Sequence, residues 1–241
     1  MESVINGIET LFTSIRGTAA TRVEKLPQSG SDRIYFRIYE GSKTYIATYN
    51  LNQKETQTFI HFSKHFKKAG LPVPEVLAVN SDDTIYIQED LGTESLLNQI
   101  EKEGHSSNVY ALFQKSLAAL ARMQIKGDEG FNYNWCITAK EFGKQAILSD
   151  LLYFKYYFLD TLQLPYDKQA MLEDFEALST YLTHTQHKYF MFRDFQSRNI
   201  IVNNDEVYFI DFQGGMQGGL SYDVASLLWQ AKAELSNEWK E

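Results

Sequence analysis

The sequence predicts an α+β fold of two lobes: a small β-rich lobe over residues 1–91 and a mainly helical lobe over residues 92–241. Three observations predict it. Two strand-like runs, 34–39 and 44–49, flank Gly41-Ser42, which reads as a hairpin turn. The pattern becomes mainly helical near residue 90. Three short β runs, 189–192, 199–203 and 207–211, then interrupt the helices.

Taken in order, Val4, Ile8, Leu11, Phe12 and Ile15 share one face of a first helix. Gln28-Ser29-Gly30-Ser31-Asp32 is a polar loop ahead of the first strand. Residues 52–69 form an amphipathic helix with Phe59, Phe62 and Phe66 inward; Gly70 stands at C′, and Pro72 and Pro74 prevent continuation. A short strand, 85–88, runs into the connector Glu89-Asp90-Leu91-Gly92. Residues 107–125 carry Leu112, Phe113, Leu117, Leu120 and Met123 at helical spacing, and 139–162 and 167–186 are also helical. A last helix starts near Tyr222, and 228–241 reads as a helix under way. Internal repeats, low-complexity tracts and long linkers are absent from the sequence.

Composition narrows the function classes. A chain of 241 residues buries a sizeable core, and 44% hydrophobic with 22% charged residues is ordinary for a globular protein. A net charge of -8 opposes general nucleic-acid or anionic-membrane binding, both of which want a basic surface. It suits a protein whose local basic groups meet a phosphate. The single cysteine, Cys136, cannot close an internal disulfide and has no visible thiolate-stabilising base beside it, so it reads as a packing residue in a reducing compartment. The N-terminus has no basic leader pattern, and no apolar run reaches the roughly 18 residues of a membrane span. The expected location is the cytoplasm.

Chemistry concentrates in Phe192-Arg193-Asp194-Phe195-Gln196-Ser197-Arg198-Asn199, followed by Ile200-Ile201-Val202 and Ile210-Asp211-Phe212. Phosphoryl transfer needs one group to orient and deprotonate the attacking hydroxyl, and oxygen ligands to hold Mg²⁺ against the phosphates. Asp194 suits the first role; Asn199 and Asp211 suit the second. A hairpin turning at Asn203-Asn204-Asp205 folds the two ligands back to one place.

This run resembles the kinase catalytic loop H-R-D-x-x-x-x-N followed by D-F-G. More closely, it is similar to the aminoglycoside phosphotransferase and choline kinase superfamily. Within that superfamily it looks most like the bacterial kinases that phosphorylate the anomeric hydroxyl of N-acetylmuramate and N-acetylglucosamine in cell-wall recycling. Gly30-Ser31-Asp32-Arg33 with Tyr35-Phe36-Arg37, Gly70 to Leu77, Glu89 to Gly92, and Ser221 to Leu228 extend the likeness over roughly residues 25–230. The resemblance implies a protein-kinase-like fold, ATP and Mg²⁺ as cofactors, and a small-molecule acceptor. It implies that Gly30, Ser31 and Arg33 meet the nucleotide phosphates and that Glu89 and Leu91 border the adenine. It implies that Glu55 is the helix acid that pairs a phosphate-binding cation, and that Asp223 accepts hydrogen bonds from the catalytic-loop backbone. Read from the residues alone, a solvated surface charge is the alternative for Glu55, and Asp223 is equally a helix N-cap.

Departures from the pattern are specific. Ile46-Ala47-Thr48-Tyr49-Asn50 occupies the stretch where the kinase pattern has its phosphate-binding lysine and carries no cation, which leaves Arg33, Arg37 or a second metal to meet the phosphates. Phe192 replaces the histidine of the loop and Gln213 the last glycine of D-F-G, and no A-P-E motif follows Asp211. Members of the family usually continue well past residue 241, so a truncated or a shortened member is expected. Asn134, Trp135 and Asp150 are candidate acceptor-pocket residues. Two other functions stay open: an aminoglycoside- or choline-type kinase, and a nucleotide-binding pseudokinase.

Overall fold

In the N-terminal lobe the chain pairs with itself by short turns. The computed structural model describes residues 1–27 and 32–241. β1 (Arg22–Lys25), β2 (Ile34–Glu40), β3 (Lys43–Tyr49), β4 (Val76–Val79) and β5 (Ile85–Glu89) form an antiparallel sheet in the order β1-β2-β3-β5-β4. Glu40 pairs with Lys43, so the turn between β2 and β3 is the two residues Gly41-Ser42, with Gly41 at φ 59 supplying the left-handed first position.

Strand alternation divides the sheet into two faces. Phe36, Ile38, Ala47, Ile85 and Ile87 pack beneath α1 (Glu2–Arg16) on Ile8 and Phe12. Tyr35, Arg37, Ile46, Tyr86 and Gln88 line a cavity on the other face. In α1 the buried stripe is Ile8 and Phe12, with Val4, Ile5 and Leu11 beside it; Ile15 is exposed, because the stripe drifts away from it as the helix ends at Gly17.

α2 (Gln53–Lys68) joins the lobes. Asn52 caps it through Glu55 N, and Gly70 at φ 72 ends it as predicted, with Leu71 N bonded to Phe66 O. Phe59 stacks between Tyr86 of β5 and Phe212, at centroid distances of 5.0 and 4.9 Å, while Phe62 and Phe66 enter the main core against Phe190 and Phe131. Burying one such ring contributes roughly 1.5–3 kcal/mol. These rings tie the sheet to the segment that carries Asp211.

The second lobe is helical, as expected: α3 (Leu96–Glu103), α4 (Ser107–Lys126), α5 (Lys144–Phe154), α6 (Lys168–Thr183), α7 (Ser221–Leu228) and the short α8 (Asn237–Lys240). Two antiparallel pairs bring the candidate site segments together, β6 (Lys188–Met191) with β9 (Met216–Gly219) and β7 (Ile200–Asn203) with β8 (Glu206–Phe209). The β7–β8 turn falls at Asn204 and Asp205, both with positive φ (51 and 59). Among the described residues no helix is long and apolar enough to cross a membrane.

The structure corrects two helix expectations. Helix does not begin at 139: Phe142 N donates to Gln217 O (2.7 Å) and Gln217 N to Lys140 O (2.9 Å), pinning this stretch to β9 before α5 starts. Past Phe154 the α-helix gives way to a wider π turn (Lys155–Leu159) and a 3-10 turn (Asp160–Leu162). Residues 228–241 are not one helix either. α7 stops at Leu228, Gln230 leaves helical geometry with ψ 132, and its side chain turns onto Ser197.

Candidate active site

The residues predicted to carry chemistry meet at the cleft between the lobes. Arg193 and Asp211 both hold left-handed backbone, φ 79 and 67, uncommon for residues with a Cβ and typical of functional turns. Asp223, fully buried on α7, offsets the first: its Oδ2 accepts from Phe192 N (2.8 Å) and its Oδ1 from Arg193 N (2.9 Å). Gln124 of α4 donates to the same carboxylate at 2.9 Å. The N-cap position of α7 is Leu220, so Asp223 serves the loop and not the cap. Burial lifts the Asp223 carboxyl to about 6, against the pull of these hydrogen bonds. The Arg193 guanidinium is held by Asp150 (2.7 and 3.0 Å) and lies over the rings of Phe142 and Tyr222. Ser197 donates from its N–H and hydroxyl to Gln230 Oε1 (3.1 and 2.7 Å), fixing the far end of the loop.

Within this loop Asp194 is oriented through one oxygen. Its Oδ2 accepts from Arg198 (3.1 Å) and from Asn199 Nδ2 (3.1 Å), and Asn199 Nδ2 also donates to Asp194 O (2.9 Å). Asn199 thereby spends its amide nitrogen on Asp194 and leaves its carbonyl oxygen for another partner. Ile210 N donates to Asn199 O at 3.1 Å, which brings Asp211 beside Asn199.

Asp211 Oδ1 accepts from Arg33 (2.5 Å) and from Gln213 Nε2 (2.8 Å). Glu55 completes the cluster. Its Oε1 lies 3.6 Å from Arg33 Nε, within ion-pair range but too long for a hydrogen bond, and 3.4 Å from Gln213 Nε2. Its Oε2 accepts from Asn50 at 2.9 Å. Arg33 is buried; burial is the largest influence and lowers its pKa, but Asp211 and Tyr35 outweigh it and the net direction is upward. The guanidinium therefore stays charged.

A cavity of about 610 Å³ is bounded by Arg33, Glu89, Leu91, Asp194, Asn199 and Asp211 among others, a size that admits a drug-sized ligand. Arg37, the other arginine considered for the phosphates, is instead bound to Asp90 of the connector (2.7 and 3.3 Å). Glu89 turns its side chain onto Lys67 (2.7 Å) and Glu75 N (2.9 Å), and Leu91 O accepts from Asn203 (3.2 Å). Gly30 and Ser31 lie outside the described residues.

Asn134, Trp135 and Asp150 do not line the cavity. Trp135 stacks on His61 at 3.5 Å, a packing role, and Asp150 is engaged by Arg193. Cys136 is buried, and burial pushes its thiol up to about 11.

The donor set fits a hard cation held against a phosphate. Asn199 and Asp211 offer oxygens, and among the described residues no group of three His, Cys, Asp or Glu side chains could hold an ion unaided. Buried Arg33 Nε and Gln213 Oε1 have no hydrogen-bond partner, so polar capacity is left at the same end of the cleft.

Lobes, cleft and loop together define a protein-kinase-like fold. The chain belongs to the phosphotransferase enzyme family, whose profile matches residues 22–241. Two relatives are each named N-acetylmuramate/N-acetylglucosamine kinase. The one from Neisseria meningitidis serogroup B is 25% identical over 172 residues, covering 69% of this chain and 49% of the relative. The one from Pseudomonas aeruginosa is 24% identical over 232 residues, covering 90% of this chain and 65% of the relative. The chain thus spans about half to two thirds of the length of these relatives. In fold it is similar to the choline kinase LicA from Streptococcus pneumoniae, with a TM-score of 0.66 at 16% identity, over 100% of this chain and 77% of that one.

Proposed function

We propose that this chain is an ATP-dependent phosphotransferase acting on the anomeric hydroxyl of an amino sugar, with N-acetylmuramate and N-acetylglucosamine as first candidates. The reaction belongs, on this reading, to the recycling of cell-wall sugars. The observation that carries the proposal is the meeting of Asp194, Asn199 and Asp211 at one cleft, with Arg33 bound to Asp211.

Each residue then has a task. Asp194, held through Oδ2 by Asn199 and Arg198, presents Oδ1 to the acceptor hydroxyl and takes its proton. Asn199 and Asp211 would hold Mg²⁺. Arg33 supplies the cation that the stretch 46–50 lacks, with Glu55 as its second carboxylate partner. Glu89 and Leu91 border the base. Bound Mg-ATP supplies the phosphoryl group and neutralises the charge on its oxygens. An anomeric hydroxyl is more acidic than an ordinary alcohol, so Asp194 needs little help to deprotonate it.

Charge around the cleft bears on the acceptor. Asp90, Asp194 and Asp211 on the wall face Arg37, Arg198 and Arg33, and Glu89 faces Lys67. Lys232 adds a further cation to the lining. Few carboxylates remain for a cationic acceptor such as choline or an aminoglycoside, so a neutral or anionic sugar is favoured.

The test is ADP release with Mg-ATP across N-acetylated amino sugars, plain sugars, choline and aminoglycosides. Turnover with the N-acetylated sugars is expected. Turnover restricted to choline or aminoglycosides contradicts the acceptor class, and nucleotide binding without any turnover contradicts the enzyme reading.

A further inference from the structure

One polar group in the cleft has no part in the chemistry above. Gln88 stands one residue before the end of β5, is 8% exposed, and has a buried Oε1 without a hydrogen-bond partner. Strand register sets its direction. Arg37 of β2 pairs with Ile46 of β3, which pairs with Gln88, so the three form one row across the sheet on the cleft face. Their neighbours Ala47 and Ile87 point to the opposite face, against α1.

Apolar side chains share the cavity with the amide. Ile46 from the sheet and Ile201 and Ile210 from the second lobe line the same cavity. Arg37 does not satisfy the amide, because its guanidinium is taken by Asp90. A buried carbonyl oxygen left unpaired costs about 1–3 kcal/mol, and a ligand that brings a donor removes that cost. Glu89, Asp90 and Leu91, the connector residues bordering the cavity, follow Gln88 directly.

We propose that Gln88 reads the base of the nucleotide, its Oε1 accepting a hydrogen bond from the 6-amino group of adenine. This rests on the ATP-dependent reading above and deepens it by naming a specificity residue. A 6-oxo purine presents an acceptor at the same place and meets the amide oxygen unfavourably. A purine with no 6-substituent leaves Oε1 unpaired. One hydrogen bond of this kind separates the ligands by about tenfold in Kd.

Equilibrium binding of ATP, inosine triphosphate and purine riboside triphosphate tests this, in the full chain and in Gln88→Leu and Gln88→Glu. The full chain is expected to bind ATP about tenfold more tightly than either analogue. Gln88→Leu is expected to bind all three within about threefold of one another, and Gln88→Glu, which keeps an acceptor, to retain the ATP preference. Equal binding of the three ligands by the unsubstituted chain overturns the role of Gln88 even if no variant folds. So does tighter binding of inosine triphosphate, or an undiminished ATP preference in Gln88→Leu. Failure of all three to bind, since they share one triphosphate, overturns instead the nucleotide reading beneath it.

Discussion

Arg33 reaches Asp211 from the residue just before β2, closing on Oδ1 at 2.5 Å with Glu55 3.6 Å from its Nε. A cation thus stands between the proposed metal ligand and the acid of α2. Removing it leaves two carboxylates facing each other and takes a charged donor from the phosphate end of the cleft. Arg33→Met is expected to weaken ATP binding by about 10–100-fold, the range of one to two charge-assisted hydrogen bonds. Arg33→Lys should recover part of it. Calorimetric titration decides; unchanged affinity in Arg33→Met removes Arg33 from the site.

As proposed metal ligands, Asn199 and Asp211 are unequal. Asp211 brings a full charge, whereas Asn199 brings a neutral oxygen and also orients Asp194. Asp211→Ala should lose Mg²⁺-dependent ATP binding more severely than Asn199→Ala. Asn199→Ala should instead lower turnover through Asp194 as well. Nucleotide binding measured across a Mg²⁺ series separates the two, and an unchanged Mg²⁺ dependence in Asp211→Ala contradicts the metal assignment.

The sequence made the local parts legible. The hairpin at Gly41-Ser42, the end of α2 at Gly70, and the turn at Asn204 and Asp205 each depend on a few adjacent residues. The spacing of Asp194, Asn199 and Asp211 was readable for the same reason. β1, β4, α3 and β9 went unread: the strands have only four residues each and α3 eight, and β9 is held by β6, with β7 and β8 between them in the chain. Contacts across the chain left no local signal either. Arg33 meets Asp211 178 residues away, and Gln124 meets Asp223 99 residues away. The choice between Arg33 and Arg37 needed the fold, since Arg37 differs only in facing Asp90.

Asp223 gives the site a pH signature. With its carboxyl raised to about 6 by burial, the folded chain holds this proton more tightly than the unfolded chain does. Its contribution to stability is full below the unfolded value of about 4 and is lost as pH rises through about 6. Activity runs the other way. A protonated carboxyl presents a hydroxyl where the carboxylate accepts from Phe192 or Arg193, loosening the loop that carries Asp194. Turnover should fall below about pH 6, while this group supports the thermal midpoint. Asp223→Asn sets an amide donor against a backbone N–H, at about 1–3 kcal/mol or roughly 2–10 °C in Tm, and should flatten this pH dependence. Identical pH profiles of Tm in the two proteins contradict the assignment.

Asp194 is the centre of the account, and the product of its reaction is the most direct evidence for it. Asp194→Asn should lower kcat by about 10²–10⁴-fold with little change in ATP affinity, because only the positioned proton transfer is lost. The deciding measurement is phosphorus NMR of the protein incubated with Mg-ATP and N-acetylmuramate or N-acetylglucosamine, run beside the Asp194→Asn variant. The account predicts a sugar 1-phosphate resonance that grows with the unsubstituted protein and is nearly absent with the variant. A 6-phosphate product contradicts anomeric transfer, and a product that forms equally fast with Asp194→Asn contradicts the catalytic assignment itself.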